Sequence, residues 1–143
     1  LHRRLEFAGA GELESTVQAA PVRYLGWLDD TGRRAAPAAA SALVLPSAWP
    51  GELPPAAAGG VLAGLPLVST TIAAPPVLVD GVNGVLVHPE PAALRAAMVD
   101  LLDASTRARF AEGSREVARD LDFDTHGHRI EELYDDSRSV VAP

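Results

Sequence analysis

The sequence predicts a three-layer α/β domain built around a mostly parallel sheet. Short strand-like segments alternate with helical segments along the chain, which is the order that βαβ units require. The run Ala42–Leu45 is apolar at every position, as expected for a strand that is covered on both faces. Leu94, Ala97 and Leu101 recur at helical spacing, which indicates a helix packed on a sheet. Ligands of such sheets bind at the carboxyl ends of the strands.

Glycine and proline divide the first part of the chain into two strand–helix units. The turn Gly9-Ala10-Gly11 separates an apolar strand from a segment with helical spacing, and Pro21 ends that segment. A strand with β-branched and aromatic residues follows and is broken by Gly26. The predicted elements are the strands Leu5–Ala8 and Val22–Leu25 and the helices Glu12–Ala19 and Thr31–Ala40.

The middle of the chain predicts three more strands and one helix. Pro46 and Ser47 close the first of these strands, and a loop rich in proline and glycine leads into the helix. Gly59 and Gly60 weaken this helix by roughly 1 kcal/mol each relative to alanine. The residues from Asp80 to Gly84 form a strong turn signal before the last strand. The predicted elements are the strands Ala42–Leu45, Leu67–Thr70 and Gly84–Val87 and the helix Ala56–Ala63.

Three helices are predicted after Pro91. The first carries the apolar stripe around Ala97 and is the clearest helix in the sequence. We expect Ser105 to cap the second helix and Thr125 to cap the third, because serine and threonine are favoured at helix starts. The interpretation is one domain over residues 1–136, followed by a flexible tail over residues 137–143.

Charge and composition narrow the class of protein. The formal net charge of −7 disfavours nucleic acid and anionic membranes as partners. The absence of cysteine excludes disulfides, thiolate metal sites and a cysteine nucleophile. The sequence shows no apolar run of transmembrane length and no signal-peptide core at its start, so we expect a cytoplasmic protein without a transmembrane segment.

One long stretch has a recognisable frame. A strand ends in Pro46-Ser47, a loop and a helix start follow, and Ala63-Gly64-Leu65-Pro66-Leu67-Val68 leads into the next strand. This frame resembles the signature of the family-4, or group-1, retaining glycosyltransferases, in which two glutamates spaced eight apart flank the loop and the helix start. The resemblance covers nearly the whole chain and includes Phe7–Gly11, Val22–Gly26, Asp80–Val87 and Phe123–Tyr134, which look like the family's earlier strand ends, late hairpin and closing helix.

The resemblance implies the carboxy-terminal, donor-binding domain of a GT-B glycosyltransferase, with a Rossmann-like fold. Such a domain binds a nucleotide-diphosphate sugar and needs no metal or other cofactor. The family's first strand, with its phosphate-binding Arg and Lys, has no counterpart in this sequence, which would leave a gap in the sheet. We expect either that another segment fills this gap or that the chain is a fragment, and the resemblance implies a missing amino-terminal, acceptor-binding domain. The alternatives are a non-catalytic glycosyltransferase-like scaffold and another doubly wound domain such as a sugar-nucleotide epimerase.

The resemblance also selects candidate donor-binding residues. The two glutamate positions fall on Gly51 and Gly59, and Glu52 reaches the first of them if the loop shifts by one residue. A carboxylate there accepts hydrogen bonds from the hydroxyls of a sugar. The family's Gly-Gly loop, whose backbone amides approach the diphosphate, is replaced by Ala73-Ala74-Pro75-Pro76. The remaining candidates are Thr70 and Thr71, through their hydroxyls, and Gly9 and Gly11, for which a simple tight turn is the favoured interpretation.

Two further features have a simpler interpretation than ligand binding. Trp49 lies in the proline-rich loop, and we expect it to cover the core rather than to stack on a sugar or a base. His126 and His128 stand beside Asp122 and Asp124, but two histidines two residues apart point to different sides of a helix. We therefore expect surface capping there, and no metal site.

Overall fold

The computed structural model describes residues 5–51, 53–121, 127–128 and 130–134, and strands and helices alternate in it from Glu6 to Thr70. The chain divides into two compact units, Leu1–Ala36 and Pro37–Pro143. All of the described strands pair in parallel, as predicted for an α/β fold. The elements are β1 (Glu6–Ala8), α1 (Glu14–Ala19), β2 (Arg23–Gly26), α2 (Asp30–Ala39), β3 (Leu43–Leu45), α3 (Pro55–Leu62), β4 (Leu67–Thr70), β5 (Gly84–Val87), α4 (Pro91–Asp100) and α5 (Ala104–Arg119).

The first unit is built on the parallel pair β1–β2. The Tyr24 hydroxyl donates to the carbonyl of Gly9 at 2.7 Å, and the Gly9 N–H donates to the carbonyl of Gly26 at 2.8 Å. The pKa of the Tyr24 hydroxyl is raised, first by desolvation and then by the charge of Glu14. None of the described residues of this unit is buried, so its strands are held mainly by their own hydrogen bonds.

The second unit contains a parallel sheet in the order β3–β4–β5, with helices on both faces. The central strand β4 is buried at every position. Successive side chains of a strand point to opposite faces, so Leu67 and Val68 belong to different core clusters. One cluster contains Ala57, Val61, Leu67, Val77 and Leu78, and the other contains Val68, Ala97, Leu101 and Phe110.

Helix α5 is fixed to the loops at the amino ends of the strands. The Ser114 hydroxyl, which is fully buried, donates to the carbonyl of Leu65 at 2.6 Å. Arg109 donates to the carbonyl of Gly81 at 2.9 Å. At Gly113 the helix backbone approaches the turn so closely that a β-carbon would lie 2.3 Å from the carbonyl oxygen of Val82. This close contact requires glycine.

The turn before β5 is organised by a buried amide. The side chain of Asn83 donates to the carbonyl of Val77 and accepts from the N–H of Val79, both at 2.8 Å. The residue is 0% exposed, so these two bonds satisfy both ends of an amide that has no access to water. At Gly84 a β-carbon would lie 2.0 Å from the carbonyl oxygen of Leu67, so strand pairing also requires glycine here.

The structure corrects the predicted cap of α5. The helix begins after Asp103, whose carboxylate accepts from the N–H of Thr106 at 2.8 Å. Ser105 does not cap the helix, and its hydroxyl instead donates to the same carboxylate at 2.5 Å. These hydrogen bonds, the Ser105 bond first, lower the pKa of Asp103 to about 2.

Two further expectations concern the sheet and the carboxyl end of the chain. The five predicted strands form two separate sheets of two and three strands. The predicted cap Thr125 lies outside the described residues, whereas 127–128 and 130–134 are helical as predicted. The domain limits 1–136 and 137–143 stay predictions. Within the described part of the chain, no helix combines the length and the hydropathy needed to cross a membrane.

Candidate functional site

The candidate site is the carboxyl edge of the β3–β4–β5 sheet. We define this edge by the described residues 46–51 and 53–54 after β3, 71–76 after β4 and 88–90 after β5. Because the three strands are parallel, these segments all leave the same edge of the sheet. Open parallel sheets bind their ligands at such an edge.

Thr70 connects two of these segments. Its hydroxyl donates to the carbonyl of Ser47 at 2.5 Å and accepts from the N–H of Ala73 at 3.3 Å, and the side chain is 0% exposed. The hydroxyl proton of Thr70 therefore forms a hydrogen bond within the protein. This role of Thr70 cannot be predicted from the sequence, since it depends on β3 and β4 being neighbours. Thr71 is exposed, and its N–H donates to the carbonyl of Val87 at 2.9 Å.

The loop after β4 retains a backbone conformation that favours glycine. Ala74 has a φ of 30°, and no other non-glycine residue in the described part of the chain has a positive φ. Its N–H donates to the carbonyl of Thr70 at 2.9 Å, which closes a tight turn. The loop thus bends in the left-handed region although it carries alanine.

The carboxyl edge contains little charge. Within its described residues the ionisable side chains are His88 and Glu90, whose Nδ1 and Oε1 atoms are 3.3 Å apart. The described arginines of the second unit lie instead on α4 and α5. Described residues of this edge therefore supply no arginine or lysine to balance the charge of a phosphate.

The positions predicted to correspond to the family's glutamates have room for a side chain. Gly51 is exposed in the loop after β3, and Gly59 lies in α3. No atom outside the immediate chain lies within 4 Å of a β-carbon built at either position. The neighbouring Gly60 differs, because a β-carbon there would lie 2.6 Å from Cδ2 of Leu43. Glu52 lies outside the described residues.

Trp49 does not cover the core, contrary to the prediction. Its side chain is 80% exposed in the loop that follows β3. The prolines around Trp49 explain why it stays exposed. Pro46, Pro50 and Pro54 each fix φ and lack the N–H group with which the loop could form hydrogen bonds to the sheet. The structure therefore places a large aromatic surface in solvent at the carboxyl edge.

The remaining candidates lie in the first unit or near the end of the chain. Gly9 has a φ of 138°, which glycine tolerates, and the carbonyl of Gly11 accepts from the N–H of Glu14 at 3.0 Å at the start of α1. His128 lies 3.5 Å from Glu131, measured from Nδ1 to Oε2. His126 lies outside the described residues, and those that are described contain no cluster of potential metal ligands.

The parallel sheets and their flanking helices define a Rossmann-like α/β protein. A model of the family described as glycosyl transferases group 1 matches residues 2–104. Since the match spans more than half of the sequence, the chain belongs to this family. No curated protein matches the sequence.

Solved structures of glycosyltransferases share the fold. Sucrose-phosphate synthase from Thermosynechococcus elongatus matches with a TM-score of 0.72 and 20% identity, over 90% of this chain and 33% of that chain. HepE from Anabaena, solved in complex with UDP, matches with a TM-score of 0.74 and 18% identity, over 93% of this chain and 41% of that chain. WaaG, a glycosyltransferase involved in lipopolysaccharide biosynthesis, matches with a TM-score of 0.64 and 21% identity, over 81% of this chain and 34% of that chain. The chain thus spans less than half of each structure.

Proposed function

We propose that the chain is the donor-binding part of a glycosyltransferase and holds a nucleotide-diphosphate sugar at the carboxyl edge of the β3–β4–β5 sheet. The observation that carries this proposal is the parallel sheet itself, whose carboxyl edge presents the family's Pro46-Ser47 loop beside the loop that begins at Thr71. Transfer of the sugar, with the retaining stereochemistry that the resemblance implies, belongs to a longer protein that also binds the acceptor.

The edge offers a threonine hydroxyl to this donor. Thr71 presents an exposed hydroxyl directly after β4. The turn at Ala74 keeps the backbone conformation of a glycine-rich loop, but the N–H groups of Ala73 and Ala74 donate to Thr70, and so this turn does not present them to a phosphate. Charge for the diphosphate has to come from residues other than the described ones of this edge, because those contain no arginine or lysine. The proposal therefore predicts weak donor binding by the chain alone.

Thermal unfolding with a panel of uridine and guanosine diphosphate sugars tests the proposal. A ligand at 100 times its dissociation constant adds about 2.7 kcal/mol to the free energy of unfolding, which raises the melting temperature by several degrees. We expect one nucleotide class to raise the melting temperature and Thr71→Ala to reduce that rise. A melt that none of the donors shifts would contradict the proposal.

Restoring the family's carboxylates provides a test by gain of binding. The space at Gly51 and Gly59 accommodates a side chain, so Gly51→Glu and Gly59→Glu should fold. We expect either change to strengthen binding of the donor, because a carboxylate accepts hydrogen bonds from sugar hydroxyls. Ala96→Glu, on an exposed position of α4, adds the same charge elsewhere and is the control. Equal affinities in all three variants would count against a donor site at this edge.

A non-catalytic glycosyltransferase-like scaffold is the second candidate. The observation that favours it is the composition of the edge: the Thr70 hydroxyl donates inside the protein, and the described residues of the edge include no arginine or lysine. A cooperative melt that no nucleotide shifts, together with no gain from Gly51→Glu, is the result expected for a scaffold.

A further inference from the structure

Two buried hydroxyl groups lie at the end of the central strand β4. Ser69 and Thr70 are both fully buried, so each hydroxyl needs a hydrogen-bonding partner inside the protein. The Ser69 hydroxyl donates to the carbonyl of Leu45 at 3.2 Å, and the Thr70 hydroxyl donates to the carbonyl of Ser47 at 2.5 Å. The first bond stays within the sheet, because Leu45 is the last residue of β3, whereas the second reaches the loop that follows.

The loop after β3 is held by the bond to Thr70. Among the described residues from Pro46 to Leu53, Ser47 alone forms a hydrogen bond, and the Thr70 hydroxyl is its donor. Pro46 and Pro50 have no N–H group that could supply another. The start of this loop is therefore fixed to the sheet by one buried hydroxyl.

Thr70 also holds the loop after β4. Its hydroxyl oxygen accepts from the N–H of Ala73 at 3.3 Å, and its carbonyl accepts from the N–H of Ala74 at 2.9 Å. This second loop begins at Thr71, whose hydroxyl the proposed function offers to the donor. One residue thus fixes the backbone of both loops relative to β4.

We propose that Thr70 is a positioning residue, which holds the loop after β3 in place for the sugar of the donor. The inference rests on the proposed function, in which Glu52 or a carboxylate restored at Gly51 contacts this sugar. Thr70 acts through the loop and does not touch the donor, because its side chain is fully buried and its proton bonds to Ser47. A loop that is already ordered loses little conformational entropy on binding, so the bond strengthens the sugar contact in particular.

Nuclear magnetic resonance tests the loop without a ligand. In the wild type we expect the backbone amides of Ser47, Ala48 and Trp49 to give heteronuclear Overhauser effects as high as those of β4. Thr70→Val keeps the shape of the side chain but removes the hydroxyl, so it should lower these values, whereas Thr70→Ser should retain them. Ser69→Ala removes the neighbouring buried hydroxyl and is the matched control, with no change in the loop. Mobile loop amides in the wild type would overturn the proposal even if Thr70→Val does not fold.

Calorimetry separates this inference from the proposed function. UDP-glucose and GDP-mannose are each compared with the nucleoside diphosphate that lacks the sugar. We expect Thr70→Val to bind the nucleotide sugar at least about tenfold more weakly and the nucleoside diphosphate less than about threefold more weakly, because only the sugar contacts this loop. Thr70→Ser and Ser69→Ala should bind both ligands as the wild type does. If Thr70→Val weakens both ligands equally or neither of them, the positioning role is wrong and the donor site stands. If the wild type binds no nucleotide, both proposals fail.

Discussion

At the scale of single residues, Ala74 stands in a conformation that suits glycine. A left-handed φ costs a residue with a β-carbon about 1–2 kcal/mol, and Ala74 adopts a φ of 30°. The turn persists because its N–H bonds to the carbonyl of Thr70 and because Pro75, which follows, is buried. The loop thus keeps the shape of a glycine loop at a cost in stability.

Ala74→Gly should therefore stabilise the protein. The strain that is relieved exceeds the roughly 0.5–1 kcal/mol of extra chain entropy that glycine brings to the unfolded state, so we expect a net gain of up to about 1 kcal/mol. Ala73→Gly is the matched control, because Ala73 is buried and has no positive φ. It should lower the free energy of unfolding by about 1 kcal/mol. Urea unfolding of both variants measures the difference, and a loss in Ala74→Gly would contradict the argument.

At the scale of elements, the start of α5 depends on a carboxylate. Hydrogen bonds from Ser105 and Thr106 lower the pKa of Asp103 to about 2 in the folded protein, below the pKa of about 3.9 of an aspartate in an unfolded chain. A lowered carboxyl pKa stabilises the fold fully above the unfolded value, and the contribution disappears as the pH falls through the folded value. The cap is therefore an acid-sensitive contact.

Asp103→Asn should expose this dependence. The difference in melting temperature between the wild type and this variant should be constant above about pH 4 and shrink toward zero as the pH approaches 2. Thermal scans across this range measure it. Ser105→Ala removes the bond that lowers the pKa of Asp103 most, so its acid-induced loss of stability should be smaller than in the wild type and should be complete at a higher pH. A difference that does not change with pH would show that the charge of Asp103 contributes nothing.

The packing of α5 gives a second prediction for an element. Gly113→Ala places a methyl group 2.3 Å from the carbonyl oxygen of Val82, and a backbone atom has little room to move. We expect a loss of about 1–3 kcal/mol. Gly59→Ala in α3 meets no atom and should instead gain about 1 kcal/mol from helix propensity. Opposite signs in urea unfolding would confirm the close approach of α5, and similar values would refute it.

The elements also show what the sequence predicts and what it does not. The limits of β4 and β5 match their predictions, because Pro66 and the turn at Asp80–Gly84 set sharp starts for two apolar runs. The predicted cap of α5, Ser105, lies two residues after the observed cap, Asp103, because both residue types are good caps and only the backbone conformation distinguishes them. At the site, the positions of the loops follow from strand order, but the Thr70 bond and the exposure of Trp49 depend on tertiary neighbours.

At the scale of the whole molecule, stability is concentrated in the second unit. Both core clusters belong to it, and no described residue of Leu1–Ala36 is buried. Regions with few buried contacts open at a lower free energy than core strands. The two units are thus expected to differ in local stability.

Hydrogen exchange should resolve this difference. Amides of β4, which is buried throughout, should exchange most slowly, and amides of β1 and β2 should exchange faster by at least about tenfold. Mass spectrometry of peptides from the two units measures the rates under native conditions. Equal protection would mean that the two units open together.

The buried amide of Asn83 has a consequence for the chemical lifetime of the protein. An asparagine followed by glycine readily forms a succinimide when the backbone nitrogen of the glycine attacks the side-chain carbonyl. In the fold, the bonds to Val77 and Val79 hold the Asn83 side chain in place, which hinders the rotation that attack requires. Each opening of the turn removes this protection, and the aspartate or isoaspartate that results would carry a charge in a site 0% exposed to water. The extent of deamidation at Asn83-Gly84 should therefore increase with the total time that the turn has spent open.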